Sequence, residues 1–391
     1  MAAPKPARLP IIDIAPWLPA DPASPSALDP AQAPARAAVS AALHAACVDY
    51  GFFYLDISSY VPAAEPEALT ALARAFFALP QAEKERIALR NEDGARGYAR
   101  LKENITNGKA DNHEGIDFYK PVAHPDRTKP LWGTNQWPDD SVQGFREKYE
   151  AWAEKMKVLG MVVMHAMAVG LGMTEEEWQG LRAQVDDSFW VMRVIGYPPL
   201  PNAHDGFSCG AHKDYGCLTF LYTDPTKNAL QVYMSGAKPD DVPGAKPDDI
   251  PGAKPDDIPV ADELDPAQDG QDGFWINADP IPGCVVCNIG EMWDIWTNGL
   301  YRATLHRVVH RGSNYRIPFF FEPNFDAHVR PLDAALRIQR ASSFLPSNEK
   351  DHRLTNSQSG QDHGGGTGTD KKPVVYGDFL LAKVTNNFDK Y

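Results

Sequence analysis

The chain has 391 residues, 52 acidic against 38 basic, and a formal net charge of −14, a balance that argues against nucleic-acid and anionic-membrane binding, since both attract basic surfaces. Five cysteines without a spacing framework suit a reducing compartment, and the N-terminal Met1-Ala2-Ala3-Pro4-Lys5-Pro6 lacks the apolar core of a signal peptide. The apolar stretch 161–173 is too short to span a bilayer, so the expectation is a cytoplasmic protein with no membrane partner.

Residues 9–14 read as a short first strand, followed by a Pro- and Ala-rich loop to about Pro34. Apolar residues at helical spacing predict a helix over 35–50, with Gly51 at the position of a C-terminal cap. Phe52-Phe53-Tyr54-Leu55 predicts a second strand, and 66–79 a second amphipathic helix with Pro66 in its first turn. The longest helical pattern covers 142–171, where Phe145, Tyr149, Trp152, Met156, Leu159 and Val163 recur at three- and four-residue steps. Such a stripe is core packing and backs a sheet. From Phe189 onward the chain turns strand-rich.

His212 and Asp214 are one residue apart, so on an extended strand both side chains leave one face. Leu218, Phe220 and Tyr222 alternate with Thr219, Leu221 and Thr223 as a strand does. An imidazole and a carboxylate supply two donors of the two-His-one-carboxylate set that holds Fe(II) with open positions. Alone, His-x-Asp is equally a surface pair. His306 opens a second β-branched run and supplies a third donor; His310, four residues on, shares its face if that strand stays regular.

Between Tyr233 and Phe274 an octapeptide, Gly236-Ala237-Lys238-Pro239-Asp240-Asp241-Val242-Pro243, occurs three times through Pro259. Each copy offers one branched aliphatic residue against two carboxylates and two prolines, too little apolar surface to offset ordering. The expectation is an acidic, disordered insertion at a hairpin tip, 235–272. A second polar insertion covers 347–372, and 374–381 reads as a closing ordered segment. Cys284 and Cys287 form a C-x-x-C, but three residues apart on a strand they face opposite sides, as packed core thiols do.

His-x-Asp followed by Tyr215-Gly216-Cys217-Leu218-Thr219, then Ile281-Pro282-Gly283, Asn288-Ile289-Gly290-Glu291-Met292, Thr297-Asn298-Gly299 and His306-Arg307-Val308, closely resembles the Fe(II)/2-oxoglutarate dioxygenases of the isopenicillin N synthase-like branch. The resemblance covers most of the chain in order. It implies a mainly β fold with flanking helices: a double-stranded β-helix (jelly-roll) barrel, 186–391, behind a mixed α/β N-terminal region, 8–135, and backing helices, 136–185. It implies Fe(II) on His212, Asp214 and His306, with 2-oxoglutarate as co-substrate, O2, and ascorbate as a supporting reductant. The product side would be succinate, carbon dioxide and a hydroxylated or desaturated small organic molecule.

The same resemblance assigns Arg316 to the distal carboxylate of 2-oxoglutarate, and Tyr197, in Gly196-Tyr197-Pro198-Pro199, as its helper. The family's Arg-x-Ser motif is broken here, because Pro318 stands where serine belongs, and Ile195 stands where many relatives carry Asn. A lost hydroxyl bond to a charged group costs about 1.5–3 kcal/mol, weakening co-substrate binding without abolishing it. Two alternatives accompany this expectation: an Fe(II) oxidase that dispenses with 2-oxoglutarate, and a non-catalytic binding protein on a degenerate barrel. Substrate identity and oligomeric state are not legible in the sequence.

Overall fold

The computed structural model describes residues 8–19, 28–106, 108–200, 206–235, 273–343 and 372–388. The octapeptide repeats and nearly all of the polar stretch 347–372 lie outside them. In chain order the strands are β1 (Ile11–Asp13), β2 (Phe52–Asp56), β3 (Gly97–Ala99), β4 (Ile105–Thr106), β5 (Lys109–Ala110), β6 (Glu114–Tyr119), β7 (Val191–Tyr197) and β8 (Phe207–His212). They continue as β9 (Leu218–Thr223), β10 (Leu230–Ser235), β11 (Gly273–Asn277), β12 (Cys284–Ile289), β13 (His306–Val309), β14 (Asn314–Phe321), β15 (His328–Val329) and β16 (Val374–Val375). The helices are α1 (Ala33–Asp49), α2 (Ala64–Phe77), α3 (Gln81–Lys84), α4 (Phe145–Gly170), α5 (Glu175–Arg182), α6 (Glu291–Trp296), α7 (Asp333–Ser343) and α8 (Tyr376–Phe388).

Two sheets carry the fold. The larger runs β1-β2-β12-β9-β14-β7-β6-β3 and the smaller β11-β10-β13-β8. Strand alternation gives the larger sheet two different faces. Its inner side chains, among them Phe52, Tyr54, Ile195, Tyr197 and Val286, meet Leu230, Val232, Ile276 and Val308 of the smaller sheet and fill the space between. Its outer side chains, among them Phe53, Phe118, Met192, Phe220, Cys287 and Phe319, bury against the helical layer. Each such apolar side chain contributes about 1.5–3 kcal/mol relative to exposure. The aromatic and Met stripe of α4 backs the sheet as its spacing predicts, with Tyr149, Trp152, Met156, Leu159 and Val163 all buried. Gly160 permits the approach, because a Cβ there would overlap the Phe321 ring.

The two-sheet jelly roll is the predicted fold, and Cys284 and Cys287 pack on opposite sides of β12 as expected. Other details differ. Asp214 lies beyond the end of β8 rather than on it. Helices α6 and α7 have no counterpart in the sequence reading, and the closing segment is mostly helix α8 behind the two-residue β16. Ser235 and Gly273 are paired partners on β10 and β11, so 236–272 leaves and re-enters the sheet at one rung.

Candidate metal centre and co-substrate site

Two neighbouring strands of the smaller sheet deliver the histidines. β8 ends at His212, β13 begins at His306, and the two are direct cross-strand partners. Their rings lie 4.2 Å apart, centroid to centroid. Asp214 sits in the turn out of β8, with its Oδ1 3.8 Å from His212 Nε2 and 3.6 Å from His306 Nε2. One donor atom from each of the three residues falls within 4.8 Å of the others. His310 does not join them. The β13–β8 register shifts after His306 and again after Val308, and His310 Nδ1 instead meets Ser208 Oγ at 2.8 Å.

The surroundings fix which atom of each residue faces inward. His212 Nδ1 donates to the Gly210 carbonyl at 2.8 Å and His306 Nδ1 to the Thr304 carbonyl at 3.1 Å. Both Nε2 atoms therefore present lone pairs to the centre, the arrangement that orients metal-binding imidazoles. Burial is the largest cause that brings His306 down to about 4, so its ring is neutral at physiological pH. Asp214 Oδ2 accepts from Thr219 Oγ1 and, at 2.7 Å, from Asn288 Nδ2, which leaves Oδ1 toward the histidines. Burial opposes the Asp214 charge, but the two imidazoles and these hydrogen bonds hold its carboxyl below the usual range.

The turn is propped from beneath. Glu322, buried at the end of β14, accepts the Cys217 N–H at 3.0 Å. Its carboxyl fills the space over Gly216, where a Cβ would collide with Oε1 and Oε2. Gly216 is thus required by close approach. Burial pushes Glu322 up to about 8, so it is a neutral acid at pH 7.

Arg316 and Tyr197 face each other inside the barrel, with the guanidinium carbon 5.5 Å from the ring centroid. Both are 3% exposed. Arg316 Nε and Nη1 are buried with no hydrogen-bond partner, an arrangement that costs several kcal/mol unless an anion pairs with it. A planar carboxylate fits the fork. Pro318 lies one inner-face position further along β14, opposite Leu221, so no hydroxyl stands there. The two-nitrogen, one-carboxylate donor set and the orphaned guanidinium each match a group the sequence implied: a borderline divalent metal and a dicarboxylate.

Sequence reasoning singled out His212, Asp214, His306, Arg316 and Tyr197, and the fold gathers them inside one barrel. It did not assign Glu322 or the roles of Thr219 and Asn288, although the last two lie in motifs that carried the resemblance.

The family model described as "non-haem dioxygenase in morphine synthesis N-terminal" matches residues 9–140, and that of the 2OG-Fe(II) oxygenase superfamily matches 259–323. The chain is 35% identical to a homoarginine-6-hydroxylase of Glycine max over 97% of both chains. It is 34% identical to one of Arabidopsis thaliana over 97% of this chain and 89% of that one. Among solved structures, a full-length Neurospora crassa protein in complex with alpha-KG superposes with a TM-score of 0.64 at 20% identity, covering 97% of this chain and 96% of that one. The rice dioxygenase for auxin oxidation superposes at 0.60 with 20% identity over the same shares.

Proposed function

We propose, from the premise that the chain belongs to the Fe(II)/2-oxoglutarate-dependent dioxygenases of the 2OG-Fe(II) oxygenase superfamily, that His212, Asp214 and His306 bind its iron and that Arg316 and Tyr197 hold its co-substrate. The observation that carries the assignment is the convergence of three donor atoms whose other polar atoms are all engaged elsewhere. Iron, 2-oxoglutarate and O2 supply the oxidising power, yielding succinate, carbon dioxide and an oxidised small molecule.

The chain's own residues do the positioning. The Gly210 and Thr304 carbonyls fix the two imidazole tautomers, and Thr219 and Asn288 lock the Asp214 carboxylate in one orientation. Arg316 takes the distal carboxylate of 2-oxoglutarate, with Tyr197 against the guanidinium face. The apolar wall of Ile195, Val232, Val286 and Val308 excludes water from that end, which strengthens the ion pair.

The substrate reading follows the relatives: hydroxylation of an amino acid with a long cationic side chain, homoarginine first. All five cysteines are free, which suits a reducing, cytoplasmic setting. Among the described residues no helix is long and apolar enough to cross a membrane. The test is succinate release with Fe(II), ascorbate and 2-oxoglutarate, with and without homoarginine, beside the anaerobic charge-transfer band of the Fe(II)–2-oxoglutarate complex. No band and no succinate at millimolar co-substrate would overturn the reading.

A further inference from the structure

A second, half-buried guanidinium stands on the same inner wall. Arg193, Ile195 and Tyr197 alternate on the inner face of β7, and Ile195 pairs with Arg316 across to β14. Arg193 pairs with Asp117 of β6 on its other side. Its Nε donates to Asp117 Oδ1 at 2.7 Å, and its Nη2 to Asn104 Oδ1 at 3.3 Å. Asn104 is tied in turn to His113 Nε2 at 3.2 Å, and His113 Nδ1 to the Ser208 carbonyl. One edge of the Arg193 fork is therefore anchored. Among the described residues its Nη1 has no hydrogen-bond partner, and 24% of the side chain stays accessible.

Asp111 is its counterpart. The β4–β5 hairpin lies against β8, with Thr106 in contact distance of Gly210. Asp111, just past the hairpin, is 6% exposed. Its carboxylate accepts from Thr106 Oγ1 at 2.8 Å, and the charges of Arg193 and His212 both act on it. No cation lies within ion-pair distance of it among the described residues. Burial raises it only to about 6, so it is ionised at pH 7.5. A buried carboxylate without a counter-ion is costly, and the chain keeps one beside a metal-ligand strand.

We propose that Arg193 and Asp111 read the two charged ends of a cationic amino-acid substrate, Arg193 taking the carboxylate and Asp111 the guanidinium or ammonium. This rests on the function proposed above and adds a polarity to it. Asp111 is bonded to Thr106, which lies against Gly210, two residues before His212, so the cationic end lies nearest the metal and the carbon beside it is the one presented for oxidation. Neither residue belongs to a motif that carried the family resemblance. Together they convert a general oxidising centre into one selective for a zwitterion with a cationic tail.

The test separates ligand ends by calorimetry on protein loaded with Mn(II) and 2-oxoglutarate. Homoarginine is compared with homocitrulline, in which a neutral urea replaces the guanidinium, and with homoargininamide, which lacks the carboxylate. Wild type should bind homoarginine at least about tenfold tighter than either, the loss expected for one charged hydrogen bond. Asp111→Asn keeps an acceptor for Thr106; it should erase the preference over homocitrulline while retaining the preference over homoargininamide. Arg193→Lys should do the reverse, and it keeps a charge beside Asp117 so the fold is not the variable measured. Unchanged discrimination in Asp111→Asn overturns this proposal alone; no binding of homoarginine, arginine or lysine by a wild type that still binds 2-oxoglutarate overturns it together with the substrate reading above, leaving the iron and co-substrate assignment standing. Failure of wild type to bind 2-oxoglutarate overturns the function it rests on, and this proposal with it.

Discussion

Replacing Arg316 by Met should change stability and co-substrate affinity in opposite directions. Without co-substrate, the buried fork with unpaired Nε and Nη1 is a charge the fold carries at a cost. Met has similar length and no charge, so the co-substrate-free variant should be as stable as wild type, or more stable by about 1–4 kcal/mol, the range seen when buried ionic groups give way to apolar ones. With 2-oxoglutarate the sign reverses. Removing one partner of a buried charged pair costs about 3–5 kcal/mol, which is about two to four decades of affinity at ~1.4 kcal/mol per decade. The assay is anaerobic titration of the charge-transfer band, read beside melting curves with and without co-substrate. At a hundredfold excess over Kd, wild type should gain about 2.7 kcal/mol from the ligand and the variant at that concentration almost none. A variant that titrates within about threefold of wild type, or that melts well below it without co-substrate, would show that Arg316 supports the fold rather than the ligand.

His306→Ala should lose stoichiometric iron and turnover together, whereas His310→Ala, whose ring lies against Ser208, should keep its iron; colorimetric iron determination distinguishes the two. Glu322 gives a pH signature: its folded-state pKa is raised from 4.5 to about 8 by burial, so the folded protein holds a proton that the unfolded chain releases. Its contribution is fully present below 4.5 and is lost as pH rises through about 8. Glu322→Gln should flatten the fall in melting temperature over that window, with the largest gain over wild type above about pH 8 and little difference near pH 5. Replacing 236–272 with a two-residue turn joins the paired Ser235 and Gly273, so iron loading and turnover should persist. A shorter loop costs less closure entropy, and thermal melting should show an equal or higher midpoint; a fall would mean the segment packs on the barrel.

The metal donors were legible because each lies in a short run whose local pattern survives folding: His212 ends a strand and His306 begins one. The face-sharing argument for His212 and Asp214 reached the right pair through a strand that stops at His212, the convergence coming from the turn that Glu322 props. His310 offered the same donor in the same β-branched run, but four positions along a strand place it roughly 13 Å further on, beside Ser208 rather than Asp214. Arg193 and Asp111 were invisible for a different reason. Their contacts span 89 residues from Asn104 to Arg193, and no spacing rule links them. Helices α6 and α7 were missed because six and eleven residues yield only two or three turns of period, which burial of Met292, Trp293 and Trp296 from α6 and of Ala334 from α7 stabilises more than propensity does.

Pro318 explains why so much should depend on one guanidinium. β14 is a central strand, between β9 and β7, where a missing N–H ordinarily excludes proline. Pairing with β9 runs unbroken from Arg316 to Phe321, but pairing with β7 is interrupted at Ile317 and Pro318 and resumes at Phe319. The lost bond thus falls on the β7 side, at the level of Arg193. The ladder absorbs it because bonds at Arg316 and Phe319 bracket the gap and β9 holds the other edge. The chemical consequence lies inside the barrel: no side-chain hydroxyl stands between Arg316 and Arg193, and the two guanidinia are separated by apolar wall. Neither has a serine to share its anion with. The co-substrate carboxylate therefore relies on Arg316 and Tyr197, the Arg193 fork remains available to a second carboxylate, and the two sites should fail independently when each arginine is changed.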